Sequence, residues 1–235
     1  MIGTLINTLA VFIGGLAGRL LGKKCSEDLQ DSLMKVSGVA VLFLGIAGAL
    51  GKMLHISQGK LETSSSMMIL CLTLGTLIGE IINIEKGFEN LGIWLKRVTK
   101  SEGEHGFVDA FVTTSLTICI GAMAVVGSIT EGLTGDYSIL AAKAVLDLMI
   151  VLILTVSKGK GAIFSAIPIF LFQGSMTILA RFIAPIMTTL ALDYLSLVGS
   201  ILIFCVGVNL IFGKIIKIAN MLPALIFAVV WALFL

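Results

Sequence analysis

The chain has 235 residues, 57% of them hydrophobic and 13% charged, with a mean hydropathy of +1.10 and a formal net charge of +2. No soluble domain of this size carries such a composition, so the sequence reads as one integral membrane domain over 1–235, an all-α, polytopic helix bundle. The small net charge and the lack of aromatic-basic interleaving exclude a nucleic-acid surface, and four scattered cysteines with two histidines supply no zinc or haem site.

Hydrocarbon about 30 Å thick needs roughly 20 apolar helical residues. Stretches meeting this are expected at 2–22, 33–53, 66–85, 107–129, 137–157, 161–187, 194–213 and 218–235, which makes eight spans. The first lacks a basic start and carries its glycines on to Gly22, so it is expected to be retained rather than removed as a signal peptide. Alternate sides of such a bundle differ in charge. Arg19, Lys23, Lys24, Lys35, Lys86, Lys96, Arg97, Lys100, Lys158, Lys160, Lys214 and Lys217 fall on one side, twelve of the sixteen cations, against Lys52, Lys60 and Arg181 on the other. Positive-inside asymmetry then puts the rich side in the cytoplasm and both termini outside.

Span one places Ala10, Gly14, Gly18 and Gly22 at every fourth position, and span three does the same with Cys71, Gly75 and Gly79. Such rows let helix backbones approach closely. They serve either packing within the chain or a homodimer. A shift of 61 aligns Gly14 and Gly18 with Gly75 and Gly79 and brings Arg19 onto Glu80, which suggests a parallel repeat of 1–37 in 62–99. Arg19 and Glu80 are expected at equal depth. They either pair, as opposite charges in hydrocarbon do, or reach separately toward the interface and a solvated vestibule. Between spans three and four, residues 86–99 mix Phe88, Leu91, Ile93, Trp94 and Leu95 with Lys86, Lys96 and Arg97, the pattern of an amphipathic helix on the cytoplasmic membrane surface or of a packing helix.

The polar chemistry concentrates between Thr113 and Asp147. Lys143 and Asp147 are four apart in span five and share a helix face, roughly 9 and 15 Å below the outer boundary at 1.5 Å per residue. Ionisable groups at the midplane are candidates for a transport site; a self-neutralising pair that anchors packing is the alternative. Before them, GSITEGLTGD (127–136) offers glycine-loosened backbone with Ser128, Thr130, Glu131 and Asp136, oxygen ligands suited to Na+ or H+ coupling. Asp136 also suits a helix cap, and the segment suits a polar loop. Gln173 in span six and Asn7 in span one are candidate neutral ligands. Pro168 and Pro185 are expected to bend or break span six. Glu131, Asp136, Asp147 and Asp193 outnumber Lys143 and Arg181 in the outer half, which favours a cation.

Enzyme readings lack a catalytic pair. The GLTGD run is one residue too long for the GxGD of intramembrane aspartyl proteases, and no HExxH or serine–lysine arrangement exists. The segments EGLTGDYSILAAKAVLDL, GGLAG, GTLIGEIINIEKG and NMLPAL together resemble the YqgA/YdfK-like family of bacterial cytoplasmic-membrane proteins of unknown function. The resemblance covers the whole chain and implies a multi-pass protein of the bacterial cytoplasmic membrane, with transport suggested and no substrate or functional residue to carry over. The sequence therefore points to a small secondary transporter or channel for an unidentified solute or ion, embedded in a lipid bilayer, with its site between spans four, five and six. No cofactor is expected beyond Na+ or H+ as coupling ion. The rival is a non-transporting scaffold or sensor that acts through oligomerisation and the amphipathic segment.

Overall fold

The computed structural model describes residues 1–22, 26–57, 60–101, 103, 106–119 and 122–234. Lys23, Lys24 and His105, used above, and the final Leu235 of the eighth expected span lie outside them. In chain order the elements are α1 (Ile2–Gly22), α2 (Glu27–Met53), a hairpin of β1 (Leu54–Ser57) and β2 (Lys60–Thr63), α3 (Ser65–Ile82), α4 (Ile84–Val98), α5 (Phe107–Cys119), α6 (Ala122–Thr134), α7 (Ser138–Lys158), a 3-10 turn (Lys160–Ser165) leading into α8 (Ala166–Ile178), α9 (Ala180–Ile183), α10 (Thr189–Phe212), α11 (Ile218–Met221) and α12 (Pro223–Leu233). The strands are antiparallel, with Leu54 opposite Thr63.

Local chemistry sets these boundaries. The Ser26 hydroxyl accepts from the Leu29 amide at the start of α2, and Thr188 does the same for Ala191 at the start of α10. Asn83 takes a left-handed conformation (φ 57°); its amide donates to the Gly79 carbonyl and ends α3, while its side chain accepts from Lys86 N and opens α4. Pro168 is tolerated in the first turn of α8, Pro185 follows the end of α9, and Pro223 opens α12.

Among the described residues, six helices are long and apolar enough to cross a bilayer, and α5 with α6 makes a seventh if the pair counts as one broken span, its halves inclined at 60°. The eighth expected span is the shorter apolar stretch Ile218–Leu233. The outward faces are apolar: Leu5, Leu9, Phe12, Ile13 and Leu16 are all exposed on α1, a surface suited to lipid and not to water. In α4, Gly92 and Leu95 are buried while Ile93, Trp94 and Val98 face out, so the amphipathic helix exists as a short packed element.

The glycine faces of the first and third spans do not meet each other. A Cβ on Gly14 or Gly18 would overlap the carbonyls of Leu148 and Leu152 in α7, and one on Gly75 or Gly79 would overlap the backbone of Ala224 and Asn220 at α12 and α11. Because α1 is committed to α7 and α3 to α11 and α12, Arg19 and Glu80 do not form the ion pair: the Glu80 carboxylate receives Lys217 Nζ at 3.1 Å.

Candidate functional site

Helix α7 buries one stripe, Leu140, Lys143, Ala144, Asp147, Val151 and Leu154, at the three- and four-residue spacing of a helix face. Lys143 is 7% and Asp147 2% exposed, so the charges are withdrawn from solvent together. Lys143 Nζ donates to Asp147 Oδ1 at 2.7 Å and Oδ2 at 2.6 Å, and to the Ile118 carbonyl at 2.8 Å. That carbonyl is free because α5 ends at Cys119, and the last carbonyls of a helix have no partner within it. The break between α5 and α6 thus aims the negative end of a helix dipole at an ammonium inside the bundle. From the other side Asn7 of α1 donates through Nδ2 to Asp147 Oδ2 at 3.0 Å.

A cavity of about 280 Å³ adjoins this pair, lined on α7 by Lys143 and Asp147, on α5 and α6 by Thr117 and Met123, and on α10 by Ser196 and Ser200. It has room for several water molecules or a small solute. Spans four and five meet here as expected, but the further walls come from α2 and α10, not from span six.

One layer outward lies a second buried carboxylate. Glu131 of α6 accepts from Gly3 N at 2.6 Å, Thr4 N at 3.3 Å and Thr4 Oγ1 at 3.0 Å, and lies 3.0 Å from the Met1 amine. Its charge satisfies the first amides of α1; a carboxylate this buried requires donors, and a helix N-terminus supplies them. Thr4 Oγ1 lies 3.3 Å from Thr177 Oγ1 of α8 and closes the layer. Ser128 and Gln173 are buried beside it without a protein hydrogen-bond partner for Ser128 Oγ or for either end of the Gln173 amide. Thr130 is half-buried and lends its backbone carbonyl to Thr134.

Asp136 stays outside this assembly. It is exposed and accepts from Ser138 N at 2.9 Å, one residue farther from α7 than a standard cap, and that bond holds its carboxyl below the ordinary range. Its role is to start α7.

At the lysine-rich end is another charge cluster, which the sequence did not reveal. Glu85 N donates to Asn220 Oδ1 at 2.7 Å and Glu85 Oε2 accepts from Ala219 N at 3.0 Å, so α4 and α11 cap each other. Lys214 Nζ pairs with Glu85 at 2.9 Å and with Glu89, and Lys158 pairs with Asp109 at 2.7 Å. Burial works against the Lys214 ammonium, but its bonds to Glu89 and Glu85 outweigh that and raise its pKa. Asn209 binds the same turn, accepting from Ile215 and Ile216 N and donating to Ile216 O. Lys52 and Asp193, assigned together to the opposite side, also meet, at 2.6 Å.

The polar partners that sequence reasoning missed are Thr4 and the Ile118 carbonyl. A hydroxyl near a helix start and a backbone oxygen carry no distinctive spacing.

The family described as Protein of unknown function (DUF554) matches residues 2–233. The chain is 32% identical to the Uncharacterized protein YqgA of Escherichia coli (strain K12), over 97% of this chain and 94% of that one. It is 30% identical to the Uncharacterized membrane protein YdfK of Bacillus subtilis (strain 168), over 96% and 93%. No solved structure matches significantly.

Proposed function

The chain belongs to the DUF554 family, and we propose that this multi-pass membrane protein is a small cation-coupled secondary transporter of the bacterial cytoplasmic membrane, with both termini outside and no enzymatic chemistry. The observation that carries the reading is the Lys143–Asp147 pair, buried at a helix break and beside a cavity of about 280 Å³. A charge stranded in hydrocarbon costs a few kcal/mol, so Asp147 holds one positive partner at a time. When a cation from the cavity takes the carboxylate, Lys143 loses its partner, and the surplus positive charge carries the cost of a charge stranded in hydrocarbon. One proton leaves the site as the cation arrives. Net charge in the site is zero in both states, which links one cation to one proton.

The test uses the full chain in liposomes loaded with a pH-sensitive dye and challenged with Na+, Li+ or K+ gradients. Wild type should move protons against at least one of these cations. Asp147→Asn should reduce the signal to that of empty liposomes while eluting as a monodisperse peak. Undiminished flux in Asp147→Asn, or a wild type silent to all three cations, would refute the coupling role.

A further inference from the structure

The space between α1, α6, α7 and α8 is layered. Outermost is the Thr4, Glu131 and Thr177 ring, in which Thr4 Oγ1 reaches both other side chains. Innermost is an apolar floor of Val11, Ile118, Val151, Ala166 and Ile169, packed as one cluster. One helical turn separates each level on every helix: Thr4 to Asn7 to Val11 on α1, and Thr177 to Gln173 to Ile169 on α8. On α6, Ser128 lies one turn inward of Glu131, and the close approach of Gly132 to the Thr177 carbonyl sets α6 against α8 at the level above. The middle layer therefore holds Asn7, Ser128 and Gln173, all fully buried, with Asp147 joined through Asn7.

This layer contains oxygens that no protein donor reaches. Asn7 Oδ1, Ser128 Oγ and Gln173 Oε1 are all buried and unpartnered, whereas comparable buried groups in folded proteins are almost always paired. The orientation of Asn7 is fixed chemically, because Asp147 accepts and does not donate, so the amide must turn its NH2 to the carboxylate and its oxygen away. Three neutral oxygens in one layer, with a carboxylate joined to it through Asn7, are hard ligands of low total charge, and Gln173 Nε2 is unpartnered with them. They suit a dehydrated monovalent cation better than a divalent one, which calls for more carboxylates.

We propose that Asn7 Oδ1, Ser128 Oγ, Gln173 Oε1 and the Asp147 carboxylate form a Na+ site on the α1/α8 side of the Lys143–Asp147 pair. The site rests on the cation–proton reading above and names its ion and ligands. Na+ here would draw Asp147 toward the oxygen shell and away from Lys143, while the Glu131 ring closes the outer side and the apolar floor the inner.

Equilibrium binding of radioactive 22Na+ to detergent-purified protein, at constant ionic strength set with choline, tests this without reference to flux. Wild type should bind saturably, with Li+ competing and choline not. Losing one ligand to a charged ion should weaken binding about tenfold or more in Gln173→Leu and in Ser128→Ala. Glu85→Gln, remote from the layer, should bind as wild type. If Gln173→Leu does not fold, the nearly isosteric Ser128→Ala decides. No saturable Na+ binding, the result expected if water alone satisfies these oxygens, or wild-type affinity in Ser128→Ala would overturn the site. Saturable binding with no cation-driven proton flux would keep the site and discard the transport reading.

Discussion

Two lysine–carboxylate clusters can be set against each other in this bundle. At the lysine-rich end, Lys214 is partly exposed and bridges Glu85 and Glu89, and Glu85 also caps α11 while Asn220 caps α4. Each charge there fastens one element to another, and water shares the cost of charge. Lys143 and Asp147 are withdrawn from solvent; their mutual bond lies within a single helix, and each makes one bond outside it, Lys143 to the Ile118 carbonyl and Asp147 to Asn7. Replacing a buried pair by apolar side chains is often neutral for stability. The first cluster has a sufficient explanation in folding and lines a cavity of only about 20 Å³; the second adjoins unpartnered oxygens and a cavity of about 280 Å³.

The largest effect that separates them comes from dividing the buried pair. Lys143→Leu leaves Asp147 buried without its ammonium and should cost about 3–5 kcal/mol, read as a large fall in apparent Tm in detergent. Adding Asp147→Leu should restore most of that loss. A smaller effect is steric: Gly79→Ala drives a Cβ into the Asn220 carbonyl and should cost about 1–3 kcal/mol, whereas Gly51→Ala, with open space around it, should not lower Tm. Smallest is Glu85→Gln, about 1 kcal/mol with proton flux per folded molecule unchanged. The Lys214 pKa is raised by its carboxylates, so the stability it contributes is complete below the ordinary lysine value of about 10.4 and is lost as pH rises through the higher folded value. Thermal melts between pH 9 and 11.5 should show this alkaline loss in wild type and not in Lys214→Gln.

Apolar length and period made most helices legible, because hydrocarbon demands both. The break in span four was not legible, since Thr113–Ile129 reads as one apolar run. The face shared by Lys143 and Asp147 followed from their spacing, and Asn7 and Gln173 were named from polarity alone. What the sequence could not supply was partner choice between distant helices. Glycine rows promise a close approach without saying to what, so Gly14 and Gly18 met α7 and the Arg19–Glu80 pairing did not form. The partners of Glu131 were not legible for a related reason: they include backbone amides of α1, which look the same at every position.

Cation-driven proton flux from the double variant Lys143→Leu/Asp147→Leu tests the central claim most directly, because that variant removes both charges without stranding either. The account predicts a folded, monodisperse protein whose liposomes are as silent as empty ones, beside a Glu85→Gln control with wild-type flux. Wild-type flux from the double variant would show that the pair is only a packing element and would contradict the account.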